Sequence, residues 1–240
     1  MMYNLVELFN TIQGEGSTQG LPVTLIRFPN CQLKCPFCDS QKIMAKPLIS
    51  ASLKNIYELS NTSRNLLITG GEPTLYNNDI IDIVYNLYTN TNAQLPYNVI
   101  VETNGAKLLD LIEKVKTIEP LNRITNYVFS HSPKMYNATT QDFSFGLLKK
   151  LALHDNVELK IVIDPNNFEV ERNYIETAFS VGIPKKRIWL MPLGAQYEEL
   201  MSNLYPVVQL CHQMGVNLSP RLHIVFGKNL DLYLNKDLVI

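Results

Sequence analysis

Continuous apolar runs alternate along the chain with longer stretches in which apolar positions recur every three or four residues. The runs are "VTLIRF" (23–28), "NLLIT" (65–69), "NVIVET" (98–103), "NYVFS" (126–130), "ELKIVI" (158–163) and "RIWLM" (187–191). Runs of this length, rich in Val, Ile and Leu, read as strands buried on both faces of a parallel sheet. The stretches between them predict helices near 50–60, 77–90, 106–118, 141–154, 168–181 and 195–214. Ser52 in "SLKNIYEL" is placed to cap the first of these, and Asp142 the fourth. Repeated strand–helix units predict an α/β fold with a covered parallel sheet, either doubly wound or a barrel. In both, ligands bind beyond the carboxyl ends of the strands.

The segments after those strands fit that rule. They are the cysteine-rich "CQLKCPFC" (31–38), "TGGEPT" (69–74), "ETNG" (102–105), "SHSPK" (130–134) and "MPLG" (191–194). A Gly- or Pro-rich turn after one strand needs no function, but several such loops on one rim point to a binding site.

Composition changes the picture little. The 240 residues are 46% hydrophobic and 18% charged, with a formal net charge of −1. That is ordinary globular composition, without a global field favouring nucleic acid or an anionic membrane. No apolar run reaches the roughly 18 residues that a membrane span needs. The start, "MMYNLVELFNTIQGEG", lacks the basic and apolar regions of a signal peptide. A cytoplasmic location is therefore expected, and with it reduced thiols. The chain is expected to be a single domain, with no direct nucleic-acid or membrane partner.

Three of the four cysteines, Cys31, Cys35 and Cys38, are spaced C-x3-C-x2-C. A disulfide is disfavoured by the compartment and by the odd number. A structural zinc site would need a fourth ligand, such as His131. An iron–sulfur cluster held by three thiolates would leave one iron open to a small molecule. Cys211, far along the chain in a predicted helix, reads as a buried small hydrophobe.

The cysteine loop followed by "GGEP" (70–73) resembles the radical S-adenosylmethionine (SAM) superfamily. The likeness extends further. "TIQGEG" (11–16), "RF" (27–28), "CPFCDS" (35–40), "TGGEPT", "ETNG", "SPK" (132–134) and "RLH" (221–223) occur in an order similar to the 7-carboxy-7-deazaguanine synthases, from about residue 3 to 227. The resemblance implies an open, partial TIM-type barrel of about six parallel βα units. It divides the chain into a substrate-binding segment 1–22, a core 23–227 and a tail 228–240. It also implies a [4Fe-4S] cluster on Cys31, Cys35 and Cys38 whose open iron chelates SAM. Reductive cleavage of SAM would give a 5′-deoxyadenosyl radical, which takes hydrogen from C6 of 6-carboxy-5,6,7,8-tetrahydropterin. The ring then contracts to 7-carboxy-7-deazaguanine with loss of ammonia, on the route to queuosine-type bases.

By the same resemblance, SAM would meet Phe37, Cys38, Asp39, Gly71, Glu72, Glu102, Ser132, Pro133, Lys134 and Met191, with Asn104 a weaker candidate. The substrate would meet Ile12, Gln13, Gly14, Arg27 and Thr69, Arg27 pairing with its carboxylate as a bidentate fork. Glu15 either reaches the pterin amino edge or caps a turn. Similar chains hold Mg2+ on the Thr of "CDT"; here the position is Ser40, which keeps the hard oxygen that Mg2+ prefers. His223 in "RLHIVFG" could contact substrate or plug the barrel mouth, and is expected to be packed and satisfied. A homodimer and an electron donor such as flavodoxin or ferredoxin are also implied. Two other readings share some of these features: an activating enzyme that makes a glycyl radical on a protein, and a non-enzymatic metal-stabilised binding module.

Overall fold

The computed structural model describes residues 1–36, 38–89, 98–123, 126–135 and 145–227. The strands are β1 (Met2–Leu5), β2 (Glu7–Ile12), β3 (Pro22–Phe28), β4 (Ile49–Ser52), β5 (Asn65–Gly70), β6 (Asn98–Thr103), β7 (Tyr127–His131), β8 (Val157–Ile163), β9 (Ile188–Pro192) and β10 (Asn217–Leu218). The helices are α1 (Gln41–Met44), α2 (Leu53–Ser63), α3 (Asn77–Thr89), α4 (Leu108–Thr117), α5 (Phe145–Ala152), α6 (Glu169–Ser180), α7 (Tyr197–Met214) and α8 (Leu222–Val225). The six expected strands correspond to β3 and β5–β9, and the six expected helices to α2–α7. The fold is α/β, with an eight-strand, mostly parallel sheet that is not closed into a barrel. No helix among the described residues is long and apolar enough to cross a membrane.

Two compact units are distinguished. The first takes in Met1–Ile12 and Leu21–Phe129. Within it, β3, β5 and β6 are parallel neighbours and β2 runs antiparallel on the outer side of β3. A separate antiparallel pair joins β1 to β4. Every residue of β5 but the last is buried, as a strand covered on both faces requires. Two helices of this unit bury one stripe each: Ile80, Ile83, Val84 and Leu87 on α3, and Leu108, Leu111, Ile112 and Val115 on α4. The i, i+3, i+4, i+7 spacing sets these side chains on one face, and each contributes about 1.5–3 kcal/mol on burial. α2 begins as the sequence predicts. Ser52 accepts the N–H of Asn55, and Asn55 accepts the N–H of Ser52 in return.

The second unit takes in Gln13–Gly20 and the described residues from Ser130 to Gly227. Its sheet carries β8, β9 and β10 as parallel neighbours. α7 ends at Gly215, whose left-handed φ of 68° lets its N–H turn back to Cys211 O. Cys211 is buried as expected; its thiol donates to Asn217 O, and burial pushes its pKa up to about 11. Phe37, the Asp142 cap and the tail 228–240 lie outside the described residues.

Candidate functional site

In the first unit the cysteine loop follows β3, and the chain bends so that Cys38 N–H reaches Cys35 O at 3.2 Å. Cys31 and Cys38 are exposed, and Cys35 is buried. Gln41 Nε2 donates to Cys35 O at 3.0 Å and ties the loop to α1. The next strand's loop is stapled to this one. Gly71 N–H donates to Phe28 O at 3.2 Å and Glu72 N–H to Asn30 O at 2.8 Å. A Cβ on Gly71 would lie 2.1 Å from Asn30 O and 2.9 Å from Cys31 Cβ, so no larger residue fits.

Glu72 is fully buried. Its Oε1 accepts from Thr74 N (2.9 Å), Thr74 Oγ1 (2.5 Å) and Thr103 Oγ1 (2.5 Å), and its Oε2 from Asn104 N (2.6 Å). A buried carboxylate is tolerated when its lone pairs are filled in this way. These four donors make the Glu72 carboxylate bind the loop after β5 to the loop after β6. Asn104, now beside the cysteines, directs its amide nitrogen at Cys31 Sγ, 3.6 Å away, and Leu33 N–H approaches the same sulfur at 3.4 Å.

Of the other residues expected here, Asp39 is exposed and accepts from Ser40 Oγ at 3.0 Å. Ser40 stands at the N-terminal end of α1, and Glu102 lies partly buried near the end of β6. Arg27, Thr69 and Glu7 are register partners across β2, β3 and β5, so they project from one face. Glu7 takes the Arg27 Nε–H at 2.8 Å and also pairs with Lys46 at 2.5 Å. Ile12 closes β2, half-buried.

In the second unit Gln13 and Gly14 are buried. Gln13 O accepts from Gly20 N at 2.7 Å, and Gly14 O from Leu222 N at 2.9 Å. Beneath them lies a charge cluster. Glu15 Oε2 stands 2.5 Å from Lys160 Nζ; its Oε1 is 3.1 Å from Arg221 Nε and 3.7 Å from His223 Nε2. Glu15, Lys160 and Arg221 are all buried. Burial pushes the Glu15 pKa up, but the charges of Lys160, Arg221 and His223 outweigh it and hold the carboxyl well below the usual range. Glu158 accepts from Ser17 N at 3.1 Å, and Gly16, at φ 67°, leaves no room for a Cβ beside Glu158 Oε1. Ser132 and Pro133 are buried after β7, and Lys134 donates to Ser132 Oγ at 2.8 Å. Met191 is buried in β9.

His223 departs from expectation: it is exposed rather than packed, with its ring beside Gly14 and its Nε2 3.7 Å from Glu15 Oε1. Sequence reasoning also missed Lys160 and Arg221. The signal was present in "ELKIVI", where Glu158 and Lys160 sit two apart on a strand otherwise apolar. Two charges on one face of a buried strand require partners.

The chemistry of the first site suits an iron–sulfur cluster: three cysteines on one short loop, with N–H donors aimed at one sulfur. Among the described residues no three His, Cys, Asp or Glu side chains converge as ligands of one metal ion would. The thiol loop carries the ligand chemistry of such a cluster, and the chain belongs to the family described as the 4Fe-4S single cluster domain, whose model matches residues 12–144. Its relatives are more particular. It is 29% identical over 234 residues to a 7-carboxy-7-deazaguanine synthase of Halobacterium salinarum, covering 91% of this chain and 88% of the relative. The synthase of Hyperthermus butylicus is 28% identical, with 92% and 91% covered. That of Haemophilus influenzae is 35% identical over 108 residues, 45% of this chain and 47% of the relative. The fold is that of the crystal structure of QueE from Escherichia coli, with a TM-score of 0.60, 21% identity, and 91% and 93% of the two chains covered. The family read from the motifs is borne out.

Proposed function

We propose that the chain is an enzyme that converts 6-carboxy-5,6,7,8-tetrahydropterin to 7-carboxy-7-deazaguanine with loss of ammonia, as a radical SAM lyase on the route to queuosine-type 7-deazapurines. One observation carries the reading: a three-cysteine loop stapled to "GGEP" in a chain that aligns over 91% of its length with a 7-carboxy-7-deazaguanine synthase. Nothing observed favours the activating-enzyme or binding-module readings.

Cys31, Cys35 and Cys38 hold the cluster, which when bound with SAM supplies the one-electron chemistry that starts the reaction. Cys38, Asp39, Gly71, Glu72, Glu102, Ser132, Pro133, Lys134 and Met191 contact SAM, with Lys134 offsetting its carboxylate. Phe37 is assigned with them from the motif alone. Arg27, held through Nε by Glu7, presents its two terminal nitrogens to the substrate carboxylate. Thr69, on the same face, and Ile12, Gln13 and Gly14 complete the substrate contacts. Ser40 supplies the hydroxyl ligand for Mg2+. The protein works in the cytoplasm as a homodimer and takes its electron from a flavodoxin or ferredoxin.

The test is anaerobic turnover of the carboxytetrahydropterin with SAM and a chemical reductant, read by mass spectrometry with and without Mg2+. The deazaguanine product is expected, formed faster with Mg2+. An intact cluster that leaves the heterocycle unchanged would overturn the assignment.

A further inference from the structure

We propose that Asn104 tunes the cluster: its side-chain amide donates an N–H to the Cys31 sulfur and thereby raises the cluster's reduction potential. The inference rests on the reading of the cysteine loop as the cluster's seat and gives Asn104 a role different from the SAM contact expected from the sequence.

The geometry fixes which end of the amide faces the sulfur. Asn104 is buried, and its backbone N–H is anchored to Glu72 Oε2 at 2.6 Å. Its Oδ1 accepts from Gln32 Nε2 at 2.9 Å and from Ala106 N at 3.2 Å. Turning the amide over would set its NH2 against the Ala106 N–H, a fixed backbone donor, and its oxygen against the sulfur. The nitrogen therefore stays on the Cys31 side, at 3.6 Å. Leu33 N–H adds a backbone donor to the same sulfur. Glu72 is thus coupled to the cluster by a continuous path: it fixes Asn104, and Asn104 reaches Cys31.

Donors to a ligating sulfur draw off negative charge. The reduced cluster carries one more electron than the oxidised one, so it gains more from each donor, and the potential rises. A cluster that must accept an electron from a soluble donor benefits from that shift. Asn104 is a positioning and tuning residue here, touching neither substrate nor SAM in this argument.

Asn104→Asp keeps the acceptor oxygen and the shape but replaces the donor with a second oxygen. Asn104→Ala removes the side chain and leaves the backbone bond to Glu72. Thr103→Val serves as the control, because Thr103 joins the same Glu72 network without touching a cysteine. Potentials are read by electron paramagnetic resonance (EPR) of reconstituted protein poised at fixed potentials. At the wild-type midpoint, Asn104→Asp should lower the reduced-to-oxidised ratio about tenfold, equivalent to 59 mV for one electron. Asn104→Ala should lower it less, and Thr103→Val should leave it unchanged. Wild-type ratios in both Asn104 variants, or an equal shift in Thr103→Val, would overturn the proposal. Should the variants fail to assemble, wild-type protein carrying asparagine labelled with 15N in the side chain gives a second measurement. Pulsed EPR should detect a 15N coupling to the reduced cluster, and its absence would count against the donor. Wild-type protein that binds no iron or sulfide would sink the reading of the cysteine loop, and this inference with it.

Discussion

Glu15 carries a buried negative charge between two buried cations, and its energetics follow from that placement. Lys160 and Arg221 would each be costly to bury alone, and the carboxylate offsets both while fixing the turn that presents Gln13 and Gly14. Removing the carboxylate strands the cations, so Glu15→Gln should lose about 3–5 kcal/mol at neutral pH. The pH dependence follows from the direction of the shift. A carboxyl whose folded pKa lies below its unfolded value stabilises fully above the unfolded pKa, near 4.5, and loses that contribution as pH falls toward the folded value. Denaturant titrations from pH 7 to pH 3 should therefore show the gap between wild type and Glu15→Gln narrowing once the pH falls below about 5. A gap that widens below about pH 5 would contradict the assignment of the Glu15 charge.

Strand-end loops build the first site by gripping one another. The "GGEP" loop closes on the cysteine loop through two backbone hydrogen bonds and the missing Cβ of Gly71, and Glu72 draws in the loop after β6. Gly71→Ala sets its methyl against the Asn30 carbonyl, a backbone atom that cannot rotate away. Iron and sulfide content after anaerobic reconstitution should fall at least severalfold in this variant while its circular dichroism stays near wild type. Full cluster loading would show that the two loops are not interdependent. The central strands and long helices were legible because continuous apolar runs and 3.6-residue stripes are strong signals. β2 was not, because five of its six residues are only partly buried and its pattern is weak. β4 and β10 are too short, at four and two residues, to leave a periodic trace. The cysteines, "GGEP" and "QGEG" declared themselves as motifs. The occupation of Glu72 and the pairing of Glu15 with Lys160 and Arg221 did not, since they join residues up to 206 positions apart. No local pattern encodes such partners.

The whole chain carries one chemical idea on a fold shared with QueE of Escherichia coli. Two compact units each carry their own parallel strands and their own residues of interest: the thiols and the Arg27 face in the first, the Gln13–Gly14 turn and the Ser132–Lys134 segment in the second. The first unit is where the account stands or falls, because every later step depends on three thiolates and one open iron. EPR of the reduced, oxygen-free protein, recorded before and after addition of SAM, tests that directly. The account predicts a [4Fe-4S] signal that changes on adding SAM, and that is lost when Cys31, Cys35 or Cys38 is replaced by Ala. A protein that assembles no such cluster, or a cluster whose signal is indifferent to SAM, would contradict it.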